Sequence, residues 1–504
     1  MKTLFLFCVL VFFSSGCAIG PDYRRPEFET PASWRIEETE AKDVANTIWW
    51  DQFADPVLNE LIQIALKEND DLKVATARVE EFYGQYSATR GNLFPQVGYG
   101  GSASRQSPTQ NGFTPIPPGL PGTYNMYQPQ FNASWELDLW GQLRRATEAA
   151  RADLMGTEEA RRGVILSLVA SVASSYINLR SLDQQLEIAQ HTAKNYEETL
   201  NLFKLRFQYG TISELELNQI ASQYYSAIAA IPNFETAIAQ QEDALNLLLG
   251  RNPGTIPRGK TIKEITVPAI PTGLPSDLLV RRPDIRQAEQ GLIAANARIG
   301  VAKGQYFPTL SLTALYGAAS TELSNLWQGP SRIWSWSGTL AGPIFTFGRI
   351  EGSVRAAKAV QQETLFSYRK AIQNGFREVN DALIGQNRTR VQVDAQAKQV
   401  EALRNYASLA WLRYDNGYVS YLEVLDAESR LFSGEISYIQ VQQSLLDAYI
   451  NLYKAMGGGW VTEADRMSTM TMAEPQPAAP QPSKGAESSS SEPRDRSKQE
   501  APPK

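Results

Sequence analysis

The sequence predicts a mainly α-helical chain that carries a membrane β-sheet, built as a tandem repeat of one unit: helix, β-hairpin, long helix, helix. Three observations predict it. Motifs recur in order: ELDLWGQLR (136–144) returns as PIFTFGRIE (343–351), LRFQYGTISELEL (205–217) as LRYDNGYVSYLEV (412–424) and LNLLLG (245–250) as LYKAMG (452–457), each pair 207 residues apart. GNLFPQV (91–97) returns as GQYFPTL (304–310) at a spacing of 213, so the hairpin loops of the copies differ by about six residues. The second observation is proline-free length: nothing breaks the chain between 142 and Pro232, or between 349 and Pro475. Helices over 142–208 and 349–415 would each reach about 100 Å, and such rods must lie along other helices. The third is a set of short alternating segments downstream of an export signal.

The elements follow in order. Residues 1–16 read as a signal peptide, with Lys2, an apolar run from Leu4 to Phe13 and then small residues. Cys17 follows Ser14-Ser15-Gly16, which resembles a bacterial lipoprotein processing site, although Ser14 stands where an aliphatic residue is usual. Lipidation of Cys17 is the expectation; the alternative is plain signal cleavage with a bystander cysteine. Cys8 would be removed with the signal. Residues 17–50 form an extended, lipid-anchored segment. Repeat 1 occupies 51–252, with strands at 97–106 and 124–138 and helices at 142–208 and 212–249. A proline-rich connector covers 253–276. Repeat 2 occupies 277–460, with strands at 309–320 and 332–344 and helices at 349–415 and 419–456. The tail, 461–504, is rich in Pro, Ser and charge and is expected to be disordered.

The strands carry the membrane argument. In YQPQFNASWELD (127–138), Tyr127, Phe131, Ala133, Trp135 and Leu137 fall on one side, and Gln128, Gln130, Asn132, Ser134 and Glu136 on the other. Ten-residue strands that are apolar outward and polar inward suit a transmembrane barrel. Segments 309–318 and 334–344 alternate less clearly, and 97–105 is poor in apolar residues. Four strands cannot close a barrel, and lipid satisfies no sheet edge. The chain must therefore oligomerise, to eight, twelve or sixteen strands. No later segment reads as a spanning helix: GVILSLVASVASSYINL (163–179) is interrupted by serines.

Composition excludes several functions. A net charge of −6 argues against a nucleic-acid partner. Two cysteines and one histidine leave no zinc site of the usual kind and no disulfide framework, and no cofactor is expected. His191, in EIAQHTAKNYEE, reads as a polar helix position, since no nucleophile motif accompanies it. GTIPRGKT (254–261) satisfies the phosphate-loop pattern. No strand precedes it, however, and Pro253 and Pro257 shape it as a turn at the seam between repeats, so the match reads as coincidental and no ATP hydrolysis is expected. Arg281 and Arg282 precede Pro283 at a helix start and read as structural, not as an anion site.

CAIGPDYRRP (17–26), LLVRRPDIRQAEQ (278–290), ANARIGVAKGQYFPTLSL (295–312) and RYDNGYVSYLEVLDAESRLF (413–432) resemble the TolC-type outer-membrane efflux factors. The resemblance is to the lipoprotein (NodT-like) branch that serves resistance-nodulation-division pumps. It implies a homotrimer with a twelve-stranded barrel continuing into a twelve-helix periplasmic tunnel. Transport through it is passive; a periplasmic adaptor and an inner-membrane pump open the closed end, and outer-membrane lipid surrounds the barrel. In this branch a leucine and, four residues on, an aspartate line the constriction, and an arginine follows by three. These places match Leu422 and Asp426; the third is Ser429, with Arg430 one position later, about 100° further round a helix. The resemblance also makes the turns at Gly210-Thr211 and Gly417-Tyr418 the adaptor-contact tips. A type I protein-secretion duct is an alternative transport reading. A lipid-anchored coiled-coil adaptor or scaffold is an alternative of another class.

Overall fold

The computed structural model describes residues 18–28, 31, 34, 48–107, 109, 122–268 and 278–457. The signal peptide, Cys17, most of the segment up to residue 47, the end of the connector from residue 269 and the tail after 457 lie outside them.

A 3-10 turn, Trp49–Phe53, leads into α1 (Pro56–Glu68) and α2 (Asp70–Gly91). The hairpin β1 (Gln96–Gln106) and β2 (Tyr124–Leu137) follows, then α3 (Gln142–Gln208) and α4 (Glu214–Leu248). After a single turn, Leu278–Arg281, the second copy runs α5 (Pro283–Gly304), β3 (Thr309–Ala318), β4 (Arg332–Ala341), α6 (Arg349–Asp415) and α7 (Tyr421–Ala455). Both long helices have 67 residues and both of their return helices 35, so the duplication holds at the level of whole elements.

Local chemistry sets the ends. β4 stops at Ala341, short of the expected 344, because Gly342 and Pro343 follow and proline has no N–H for the ladder. β2 stops at Leu137 because Asp138 turns to cap α3, accepting from Leu143 N (3.1 Å) and Arg144 N (2.9 Å). α4 and α7 begin two residues later than expected because Ser213 and Ser420 are N-cap residues. Gly210 and Gly417 have φ of +68° and +74° and close Schellman motifs. In each, the next residue's N–H reaches back five positions: Thr211 N to Arg206 O and Tyr418 N to Arg413 O, both 2.9 Å.

The strands form one antiparallel sheet in the order β1-β2-β3-β4, so the two hairpins join through β2 and β3. Its register sorts the side chains. Tyr99 faces Phe131, Phe131 faces Tyr316 and Tyr316 faces Trp334, an aromatic row across all four strands. Val97, Ala133, Ala314 and Trp336 form the next row on that face, and Leu137, Leu310 and Leu340 another. The opposite face carries Gln96, Ser134, Thr313 and Ser337 in one row, with Thr313 and Ser337 hydroxyls 2.8 Å apart. Met126, Leu315 and Ile333 are among the apolar exceptions there, with Tyr124 at the outer end. The weak alternation of β3 and β4 is thus a real two-faced pattern, visible once the partners are aligned.

Below the sheet, α3 is the central rod, packed by α2 and α5 along one half and by α4 and α7 along the other. The largest core joins Trp49, Trp50 and Phe53 to α1, the middle of α3 (Ile165 to Leu179) and the end of α7 (Ile450, Tyr453). This stretch of α3 is the apolar window, and it is buried in protein. Residues 18–28 strap along α5: Asn296 Nδ2 donates to Pro21 O (2.8 Å), Tyr23 Oη to Glu289 Oε1 (3.1 Å), and Asp22 pairs with Arg145. A Cβ on Gly20 would lie 2.6 Å from Gly300 Cα, so the GPDYRRP motif is a close-fitting structural strap.

Candidate functional site: a paired helical tip beneath a membrane sheet

The far ends of the two helical hairpins form one tip. Phe203 of α3 sits 4.6 Å from the Tyr421 ring and 6.2 Å from Tyr414, and Trp411 lies 5.9 Å from Tyr421. Val424, Leu425 and Ala427 complete this buried cluster with Tyr196, Leu200 and Ile220. Trp411 Nε1 donates to Glu428 Oε1 (2.6 Å), and burial holds the Glu428 carboxyl above the usual carboxylate range.

With Tyr421, Val424 and Leu425 turned inward, helical geometry turns Leu422, Asp426 and Arg430 outward at i, i+4 and i+8. Leu422 is 61% exposed, although it is large and apolar. Arg430 Nε lies 2.8 Å from Asp426 Oδ2, and Tyr406 Oη donates to the same oxygen at 3.3 Å. The one-place displacement from Ser429 to Arg430 therefore leaves the arginine on the aspartate's face, since i+3 and i+4 are both neighbours of i. At the matching places repeat 1 has Leu215, Gln219 and Gln223, so the charges belong to repeat 2 alone.

The tips differ in a second way. In repeat 1, Ser213 and Glu216 form a full capping box at the start of α4. In repeat 2 Ser420 makes no side-chain cap, and Glu423 instead pairs with Arg413 (2.7 Å). A lost N-cap is worth about 1 kcal/mol, but Tyr421 and Val424 are fully buried, so packing and not capping seats the helix bearing Leu422 and Asp426. Gly210, Thr211, Gly417 and Tyr418 stand at the extremity, with the Tyr418 side chain exposed. Cys17 lies outside the described residues, but its neighbours are fixed. Ile19 N donates to Trp140 O (2.9 Å), and Ala18 abuts Gly141 at the foot of β2.

The phosphate-loop pattern has an internal anion. Buried Asp55 caps α1, accepting from Val57 N at Oδ1 (2.9 Å). Its Oδ2 accepts from Lys260 N (3.0 Å) and Tyr176 Oη (2.9 Å), while Gly259 N donates to Tyr176 Oη (3.0 Å). A Cβ on Gly259 would sit 2.2 Å from Asp55 Oδ1, which explains the glycine. The loop's Lys260 N–H thus grips the chain's own carboxylate directly, and its Gly259 N–H does so through the Tyr176 hydroxyl. Arg282 is similarly structural, donating to Ala455 O (2.8 Å) and pairing with Asp284 and Glu378. Sequence reasoning missed Asp55 and Tyr176 altogether, because nothing local marks either as a partner of residues 259–260.

A two-faced sheet with an aromatic outer face, set above paired helices about 100 Å long, makes up part of the wall of a membrane channel with a long soluble extension. Residues 61–251 and 274–458 match the profile of the outer membrane efflux protein family, and the chain belongs to that family. The toluene efflux pump outer membrane protein TtgF of Pseudomonas putida is 37% identical over 472 residues, spanning 91% of this chain and 98% of that protein. The cation efflux system protein CusC of Escherichia coli is 35% identical over 460 residues, spanning 90% and 98%. The open state of the Neisseria gonorrhoeae MtrE outer membrane channel superposes with a TM-score of 0.79 at 31% identity, covering 88% of this chain and 99% of that one. The chain is accordingly an outer-membrane efflux channel, reaching from the membrane into the periplasm, and its role is transport.

Proposed function

We propose that the chain is the passive exit duct of a tripartite system for drugs or other small molecules. In this reading it is a homotrimer with a twelve-stranded barrel above twelve helices, opened at its periplasmic end by an adaptor and a resistance-nodulation-division pump. The observation that carries it is the sheet: lipid-suited on one face, polar on the other and unpaired along β1 and β4, so that only further copies can close it.

Leu422, Asp426 and Arg430 are the gate. Three copies of Asp426 about one axis form a negative collar, and each has its own Arg430 to hold it. Gly210, Thr211, Gly417 and Tyr418 offer the adaptor its docking points. Acylation of Cys17 is supported by the docking of Ala18 and Ile19 at the foot of the sheet. The test is single-channel conductance in a planar bilayer. Asp426→Ala is expected to raise it; unchanged conductance in a folded trimer removes Asp426 from the constriction.

A further inference from the structure

The apolar face of the sheet is not flat at the end far from the helices. There the loop between β3 and β4, residues 319–331, folds back over it. Tyr127 N donates to Ser320 O (2.8 Å) and Ser320 N to Tyr127 O (3.0 Å), which ties the loop along β2. Inside the loop Ser331 Oγ donates to Asn325 O (2.7 Å) and Gln328 Nε2 to Asn325 Oδ1 (2.9 Å). The loop is therefore a built shelf, with Leu326 buried behind it and Trp327 standing out as an overhang.

Between shelf and strands lies a cavity of about 380 Å³. Its floor is the aromatic row of Tyr99, Phe131 and Tyr316, its roof Leu326 and Trp327, and Arg332 stands at its rim. The register puts Arg332 on the apolar face, in line with Trp334 and Trp336, at the outer end of β4. Among the described residues Arg332 has no ion pair. The nearest acid along the loop, Glu322, is engaged by Asn325 Nδ2 at 2.9 Å. Arg105 stands on the same face at the outer end of β1, also without an ion pair among the described residues.

A guanidinium at the mouth of an aromatic trough, on a surface that faces hydrocarbon, suits one kind of molecule. It must have an apolar chain to lie on the rings and an anion at the level of the head groups; phosphate fits the planar fork best. We propose that this trough binds a lipid of the outer leaflet whose head group carries a phosphomonoester, with an acyl chain over Tyr99, Phe131 and Tyr316 and that anionic phosphate, unlike the choline-neutralised diester of phosphatidylcholine, on Arg332. The proposal rests on the sheet being a membrane barrel, and it assigns the barrel surface a specific lipid site in addition to the Cys17 anchor.

The test titrates the detergent-solubilised full-length protein with bis-phosphorylated lipid A, with phosphatidylcholine and with inorganic phosphate, reading bound mass by native mass spectrometry. Lipid A is expected to bind once per protomer, phosphatidylcholine about tenfold more weakly, and inorganic phosphate not to displace the lipid. Arg332→Gln is expected to weaken lipid A binding about tenfold, and Trp327→Ala to weaken both lipids. Equal binding of lipid A and phosphatidylcholine, an unaffected Arg332→Gln variant, or displacement by inorganic phosphate overturns the proposal. Unchanged conductance of both variants in a planar bilayer shows that the barrel itself is intact, whereas unsubstituted protein that gave no conductance would count against the barrel reading and not against the lipid site.

Discussion

Phe347→Ala is expected to weaken the assembly of protomers while leaving each protomer folded. The magnitude comes from the internal repeat. In one chain Trp140 of repeat 1 stacks on Phe307 of repeat 2 at 4.9 Å and donates Nε1 to Pro308 O (2.8 Å). Moving each residue to the other copy turns Trp140 into Phe347 and Phe307 into Phe94. Within one chain these two do not meet: Phe347 touches Phe345 edge-on at 5.0 Å and is still 92% exposed, and Phe94 is 55% exposed. Repeating the same geometry around a ring puts Phe347 on Phe94 of the partner subunit. Burying a phenylalanine contributes about 1.5–3 kcal/mol and an aromatic pair about 0.5–1.5 kcal/mol more. Each seam should therefore lose about 2–4 kcal/mol on truncation. The assay is the trimer-to-monomer midpoint in increasing denaturing detergent, read by native gel, with helix content followed by circular dichroism. Trp140→Ala is the contrast, since its contact lies within one chain and its loss should lower protomer stability. The reasoning is refuted if Phe347→Ala leaves the midpoint unchanged, or if Phe347 remains as accessible to labelling in the assembled protein as in the separated chain.

The same repeat logic fixes a strand register. The shifts that carry Gln96↔Ser134 onto Thr309↔Ala341 also carry Gln130↔Gly317 onto a pairing of Ser337 with Ser104 of the partner subunit. Ser104→Cys with Ser337→Cys should give an oxidation-dependent ladder up to a trimer on a denaturing gel, whereas Ser104→Cys with Trp336→Cys, one residue out and on opposite faces, should give none. Asp55→Ala removes a helix cap worth about 1 kcal/mol and strands the buried Tyr176 hydroxyl and Lys260 N–H at about 1–3 kcal/mol each. Its thermal midpoint should fall well below the unsubstituted protein's, with Asp55→Asn between the two because its one amide oxygen keeps the cap but its nitrogen cannot accept from Lys260 N–H; an unchanged midpoint for Asp55→Ala would show that the residue 254–261 loop is held by something else. Metabolic labelling with a radioactive fatty acid should mark the mature chain and not Cys17→Ala, and an unlabelled chain removes the lipoprotein assignment.

What was legible in the amino-acid string is what depends on neighbours along it. The 207-residue recurrence and the glycine turns at 210 and 417 follow from repeated motifs, proline and glycine, while Leu422 and Asp426 are marked only by the family resemblance. The i, i+4 spacing also explains why Arg430, one place from its expected position, still reaches Asp426. The weak strands could not be judged alone: β1 carries few apolar residues, and its outward Tyr99 gains meaning only beside Phe131, Tyr316 and Trp334. Asp55 and Lys260 meet across 205 residues, and Tyr23 and Glu289 across 266. No local pattern encodes such contacts, because burial and a free carboxylate oxygen select the partner only after the chain has packed. By itself the sequence determined the repeated rods and the turns between them. Tertiary structure alone decided that the two hairpins join as one sheet, that repeat 2 lacks the capping box of repeat 1, and that Phe94 and Phe347 stay exposed. These follow from pairing and packing between distant segments, whose energies no local window contains.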